Sequence, residues 1–232
     1  MPTGLYISYS GAVAAQAQLE VIANNVANAS TSGFRRDQTI FDTVLGAAMP
    51  FSRAAGGQID LAPGTHQLTK NPLHAAIDGE GFFVVQDASG RELYTRRGDF
   101  RLNANRELVL PNGLAVQGTG GQLAIPSGSV ASFRDDGTLM TELGPIGKLR
   151  IVTFNDPSGL RKRGGSLIEA DPSAAPRDLD RAKIGVGFVE ASNVNLAGEM
   201  VALIQATRSF EASLQSLRLG DEMTQSLIQA QL

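Results

Sequence analysis

The sequence contains no cysteine and no tryptophan, and only two histidines and three tyrosines. Without cysteine there is no disulfide framework, no thiolate nucleophile and no cysteine-ligated metal, so packing alone must hold the fold. The two histidines, His66 and His74, sit eight positions apart in a polar connector, without the spacing or carboxylate support that metal sites draw on. No stretch approaches the ~20 apolar residues of a membrane span. The opening "MPTGLYISYSGAVAAQ" has neither a basic n-region nor a continuous apolar core, so a cleaved signal is not the expected route out of the cytoplasm. Charge of one sign is also scarce: 20 Lys plus Arg against 23 Asp plus Glu leave −3, no electrostatic footprint for nucleic acid or anionic membrane. "GEGFF" and "GTGGQ" are glycine clusters, but neither joins a strand to a helix as a phosphate cradle does, and no G-x-S-x-G is present. The expectation is a protein that is not an enzyme, with no catalytic, cofactor or metal site and no small-molecule substrate.

What is there begins with helices. From Leu5, small or apolar residues fall at Ser8, Ala12, Ala15, Leu19, Ile22 and Val26, in alternating steps of three and four. The first half of this stripe is alanine and serine, which lets another backbone come close but buries little area, so the helix needs partners. It ends in "NNVANASTSGF", Asn24 to Phe34. Gly33 is free to take a positive φ there, and Asn24, Asn25 and Asn28 form a polar ladder beside Ile22 and Val26. Buried amides cost energy unless matched, so this ladder is expected to set register between subunits. At the other end "SNVN", Ser192 to Asn195, can cap a helix whose stripe runs Leu196, Met200, Leu203, Thr207, Phe210, Leu214 and Leu217. Around Gly220 the phase slips before Met223 and Leu227, which predicts a local change of supercoil or a short break.

Between the helices the chain changes character. Short β-rich runs, "GFFVVQ", "ELYTR", "ELVL", "LAVQG", "QLAI" and "LRIVTF", alternate with turn signals such as "DASG", "PNG" and "NDPSG". The fold class expected is α+β: N- and C-terminal helices packed together in a coiled-coil-like way, with a central antiparallel β domain. The boundaries expected are 1–45 for the N-terminal helix and its signature, 46–76 for an extended linker, 77–188 for the β domain and 189–232 for the C-terminal helix. Of Phe82 and Phe83, at least one ring reads as core packing rather than a ligand platform. The basic run "RKRGG", Arg161 to Gly165, reads as a solvated hairpin tip, offset by Asp156, Glu169 and Asp171.

Three stretches resemble one family, the axial proteins of the bacterial flagellar rod and hook. They are "VIANNVANASTSGFRRDQTIFDTVL" (Val21 to Leu45), "NPLHAAIDGEGFFVVQDASGRELYTRRGDFRLNANRELVLPNGLAVQG" (Asn71 to Gly118) and "VEASNVNLAGEMVALIQATRSFEASLQSLRLGDEMTQSLIQAQL" (Val189 to Leu232). Three positions depart from the family pattern. A turn glycine is usual where Arg106 stands, so another turn geometry is expected there; an acidic residue is usual at His74, and asparagine at Ser213.

The short length and single β domain are most similar to the proximal rod members of the family, with distal rod members next. The resemblance implies a structural subunit of the basal-body rod, exported by the flagellar type III apparatus without signal cleavage and assembled helically in the periplasm. Its partners would be other rod subunits, copies of itself and the export apparatus, with no nucleic acid. The residues expected at the subunit interface are Leu19, Ile22, Asn24, Asn25, Val26, Asn28, Gly33, Phe34, Met200, Leu203, Phe210, Leu214 and Leu217. The reading set against it is a secreted β-rich binding module or adhesin, which would need an aromatic-lined cleft from a sequence with no tryptophan.

Overall fold

The computed structural model describes residues 2–45 and 50–229. The chain divides into two compact units. One joins Met1–Ala27, Asp37–Gln58 and Asn195–Leu232, and the other joins Asn28–Arg36 to Ile59–Val194.

The first unit is helical. It holds α1 (Pro2–Ala27), α2 (Leu196–Gln229) and a hairpin of β1 (Asp37–Leu45) with β2 (Pro50–Ile59). Asn195 caps α2: its side-chain oxygen accepts from the Gly198 N–H at 3.1 Å and its carbonyl from the Glu199 N–H at 2.9 Å. The break expected at Gly220 is absent. α2 runs unbroken through it for 34 residues, since one glycine costs only about 1 kcal/mol in a helix interior. The hairpin likewise occupies part of the segment 46–76 expected as an extended linker. Strand pairing, rather than the propensity of its Gly, Ala and Pro residues, decides the conformation there.

The second unit is the antiparallel β domain. Its largest described sheet has ten strands. Near its middle lies a strand rich in β-branched and aromatic residues, Phe82–Gln86. Preceding it in the chain are β3 (His66–Leu68) and β4 (Ala75–Asp78); it is therefore β5, and β6 (Glu92–Thr95) follows across a short turn. β5 pairs antiparallel with β6, with Ala115–Gly118 and with Ile151–Phe154. Alternate residues of β5 face opposite sides of the sheet, and both sides are buried. Phe83 and Val85 join a cluster with Phe100, Leu108 and Leu139, while Phe82 and Val84 join one with Tyr94, Val152 and Ile168. Both Phe82 and Phe83 are core residues, where core packing of at least one ring was expected. Of the "RKRGG" run, Arg161 and Lys162 end the strand Leu160–Lys162, and Arg163 to Gly165 form the exposed tip before Leu167–Ala170, where Arg163 pairs with Glu169 at 3.0 Å.

The turn at Arg106 corrects the expectation drawn from its missing glycine. Arg106 keeps a glycine-like backbone, with φ of 60°, at a cost on the order of 1–2 kcal/mol for an L-residue. Its guanidinium offsets that strain by donating to the Ile125 carbonyl at 3.2 Å and the Ser129 carbonyl at 2.7 Å.

Candidate functional site

Within the helical unit, α1 and α2 run antiparallel along a seam of small residues. Ser8 Oγ and Ser216 Oγ share a hydrogen bond of 2.9 Å, and a Cβ added to Gly11 would meet Ser213 Oγ at 3.2 Å. Further along, Asn25 Nδ2 lies 3.4 Å from Glu199 Oε2. One register therefore holds along the pair. The absent asparagine at Ser213 has a reason: a longer side chain would crowd Gly11. Ala12, Ala15, Ile22 and Ala206 are buried in this unit, so the alanine-rich stripe of α1 does bring the two backbones close.

The residues expected at an interface divide into groups. Ile22 and Asn25 are buried within the chain, and Leu19, Val26, Leu203, Phe210, Leu214 and Leu217 are half-buried. Asn24 is exposed and Asn28 half-buried, while Met200 is 51 % exposed. Gly33 and Phe34 belong to the β unit and are buried there. Asn25 does not wait for another helix to match its amide. Its Nδ2 donates to the Asp37 carbonyl and its Oδ1 accepts from the Asp37 N–H, both at 2.9 Å.

Periodicity did not reveal the helical residues most open to a partner. Tyr6, Tyr9 and Val13 on α1, and Val201, Ile204, Leu219 and Met223 on α2, are each close to half exposed or more. All but Met223, where the stripe resumes after Gly220, lie off the stripe that marks the seam.

In the β unit the signature loop, Asn28–Arg36, is anchored by charge. Glu190 is fully buried, and its Oε1 lies 2.6 Å from Arg35 Nη1 while also accepting the Gly64 N–H at 2.8 Å. Its Oε2 faces Arg96 Nη1 at 3.3 Å, and its backbone carbonyl accepts the Gly33 N–H at 2.7 Å. Burial pushes the Arg96 guanidinium down to about 10, with Glu190 partly restoring it. Two buried cations thus share one carboxylate. Gly33 has φ of 65°, and a Cβ on it would overlap the Arg97 backbone nitrogen. Phe34 is fully buried, with Lys162 Nζ 3.6 Å above its ring. Asn193 completes the anchor, accepting from the Arg36 N–H at 2.7 Å and donating to the carbonyls of Asp60 and Ala62.

Among the described residues no group of three or more His, Asp or Glu is placed to hold a metal ion, and no helix is long and apolar enough to cross a membrane. His74 bonds Thr69 Oγ1 through Nδ1 at 2.9 Å. His66 borders a cleft of about 960 Å³ in the β unit, floored by Ile77, Phe82 and Phe154, whose Arg96 turns inward to Glu190 and Gly79.

Three family descriptions match this sequence: "Flagella basal body rod protein" over residues 5–35, "Flagellar hook protein FlgE/F/G D1 domain" over 76–141, and "Flagellar basal body rod FlgEFG protein C-terminal" over 186–230. The first covers α1 and the signature loop, the last the Glu190 anchor and α2. Similar curated proteins include the flagellar basal-body rod protein FlgG of Buchnera aphidicola subsp. Baizongia pistaciae, 32% identical over 98% of this chain and 99% of that protein. The FlgF of Caulobacter vibrioides is 30% identical over 99% and 98%, and the FlgF of Rhizobium meliloti 35% over 91% and 90%. The chain belongs to the flagellar basal-body rod protein family, whose members are structural subunits of the rod and not enzymes.

Proposed function

We propose that the chain is a proximal rod subunit of the FlgF kind, which assembles helically with its own copies and neighbouring rod proteins through its terminal helices. The observation that carries the assembly reading is the apolar surface these helices leave outside their own seam, from Tyr6 and Tyr9 to Met200, Val201 and Ile204. Exposed apolar side chains gathered on helices favour burial against a partner. The half-buried Leu203, Phe210, Leu214 and Leu217 lie between seam and surface, and they gain further burial when copies pack around them in a coiled-coil-like tube. Asn24 and Asn28 would then serve at its edge. The chain would reach the periplasm through the flagellar type III apparatus.

The proximal reading rests on length. Alignments to FlgF relatives run over 221 to 240 residues, whereas those to FlgG relatives run over 253 to 265, longer than this chain of 232. The FlgG relatives thus carry segments for which this chain has no counterpart. A distal rod subunit is the competing reading, since FlgG relatives match at comparable identity. Complementation separates the two. The chain should restore motility to a strain lacking its proximal rod gene and fail in one lacking the distal gene; the reverse result would overturn the assignment.

A further inference from the structure

The turn before β4 gathers three side chains that the assembly reading does not use. Thr69 Oγ1 donates its single proton to the Gly187 carbonyl at 2.9 Å, so toward His74 Nδ1, also 2.9 Å away, it accepts. His74 Nδ1 therefore carries the ring proton, and the bare Nε2 faces the Asn71 side-chain amide, 3.2 Å from its Nδ2. Burial outweighs Asp99 and, together with Arg101, keeps the pKa of the imidazole below its ordinary 6.5, so the ring is an uncharged base at neutral pH. The Asn71 side chain folds over the peptide bond that follows it, because its Oδ1 accepts the Leu73 N–H at 3.0 Å. The backbone carbonyl of Asn71 accepts the His74 N–H at 3.0 Å, a donor placed where negative charge develops when that carbonyl is attacked. An amide nitrogen, a base oriented by a third group and a polarised carbonyl thus meet in one turn.

Pro72 decides which reaction this set can run. In the common decay of asparagine the next backbone nitrogen loses its proton and attacks the side-chain carbon. Proline has no such proton, so that route is closed. The attack left open runs the other way, from the Asn71 side-chain nitrogen to the Asn71 backbone carbonyl carbon. We propose that Asn71 is a self-cleavage site, where this attack closes a succinimide ring and breaks the Asn71–Pro72 bond. His74 Nε2 takes one proton from Nδ2 and returns it to the departing proline nitrogen, so neither water nor an oxidant is consumed. The products are residues 1–71, ending in the cyclic imide, and residues 72–232, beginning with the secondary amine of Pro72. The base is the histidine that stands where the family pattern has an acid, so the site is a property of this chain and not of the pattern. The cut ends stay together, since β3 pairs with Phe188–Glu190 and the Thr69 and Lys70 N–H groups donate to the Gly187 carbonyl.

The purified full-length chain, held at neutral pH with protease inhibitors, should come to run as one species on native gels and two on denaturing gels. When the fragments first appear, intact-mass spectrometry should find two masses that add up to the mass of the uncut chain, with Pro72 as the new N-terminus. A protease would add one water to that sum from the outset, and such a sum would overturn the inference. Asn71→Ala should abolish the cut, and His74→Gln should slow it about 100-fold, the size of a general-base contribution. A rate equal to wild type in either variant would refute self-cleavage, as would a wild-type chain that stays whole over weeks. Should a variant misfold, the mass sum and the Pro72 end of the wild-type fragments still decide.

Discussion

The side chain of Asn25 grips the backbone of Asp37 from both sides, donating to its carbonyl and accepting from its N–H at 2.9 Å each. An asparagine that looked like a register device between helices thus ties the end of α1 to the start of β1, as a neighbouring strand would. Asn25→Leu should lower the stability of the helical unit of the unassembled chain by roughly 2–4 kcal/mol, because it removes two hydrogen bonds to backbone groups. Hydrogen exchange at the Asp37 amide checks it: protection should vanish in the variant, and unchanged protection would refute the role.

Glu190 pairs with both Arg35 and Arg96 in a buried site. Glu190→Gln should cost the β unit about 3–5 kcal/mol, since it leaves two guanidiniums buried together. Adding Arg35→Met should recover part of the loss, read as the thermal midpoint of the double variant against the single. A double variant less stable than Glu190→Gln would contradict the charge argument.

Arg106 separates backbone strain from side-chain bonding. Arg106→Gly relieves the positive φ and loses two bonds, whereas Arg106→Ala loses the bonds and keeps the strain. The alanine variant should therefore be the less stable by about 1 kcal/mol in urea titrations. Equal stabilities would show that the turn carries no strain.

Seam and outer face should respond differently to the same charge. Ile204 is 54 % exposed, so Ile204→Asp should leave the melting of the free chain within about 0.5 kcal/mol of wild type while removing it from basal bodies. Leu214 is half-buried, and Leu214→Asp should depress both. Circular dichroism and immunoblots of purified basal bodies measure the two effects, and an Ile204→Asp chain that assembles normally would exclude the outer face from assembly.

His74 should make the β unit sensitive to mild acid. Burial, aided by Arg101 and opposed by Asp99, holds its pKa below the ordinary 6.5. The unfolded chain then binds the proton more readily, so this contribution to stability is present above 6.5 and is lost as the pH falls below it toward the folded value. Thermal midpoints at about pH 7.5 and about pH 5 should differ more in wild type than in His74→Gln.

α2 was legible because its stripe and its Asn195 cap obey local rules, and β5 because alternation put Phe82 and Phe83 on two buried faces. The alanines of α1 likewise announced close packing. β2 was not legible, since Pro, Gly and Ala form a strand there only through pairing with β1. The Glu190 anchor was hidden for a different reason. A lone acid in "VEASN" and arginines after a turn carry no local sign of pairing, because Glu190 meets Arg96 across 94 positions and Arg35 from still farther back in the sequence. Tyr6 and Tyr9 escaped notice because the stripe that defines the seam passes beside them.

The bond from the Arg36 N–H to Asn193 spans 157 positions, and that separation sets a timetable. The chain is made from its N-terminus, so the signature loop emerges with its groups unmatched and stays so until nearly the whole sequence exists. Closure of a loop this long is slow and comes late. If the chain is passed through the export apparatus before it folds, as proposed above, it gains an interval in which it has no finished domain to unravel. Truncation before Glu190 should prolong that interval indefinitely, leaving a soluble-looking β sequence that never shuts.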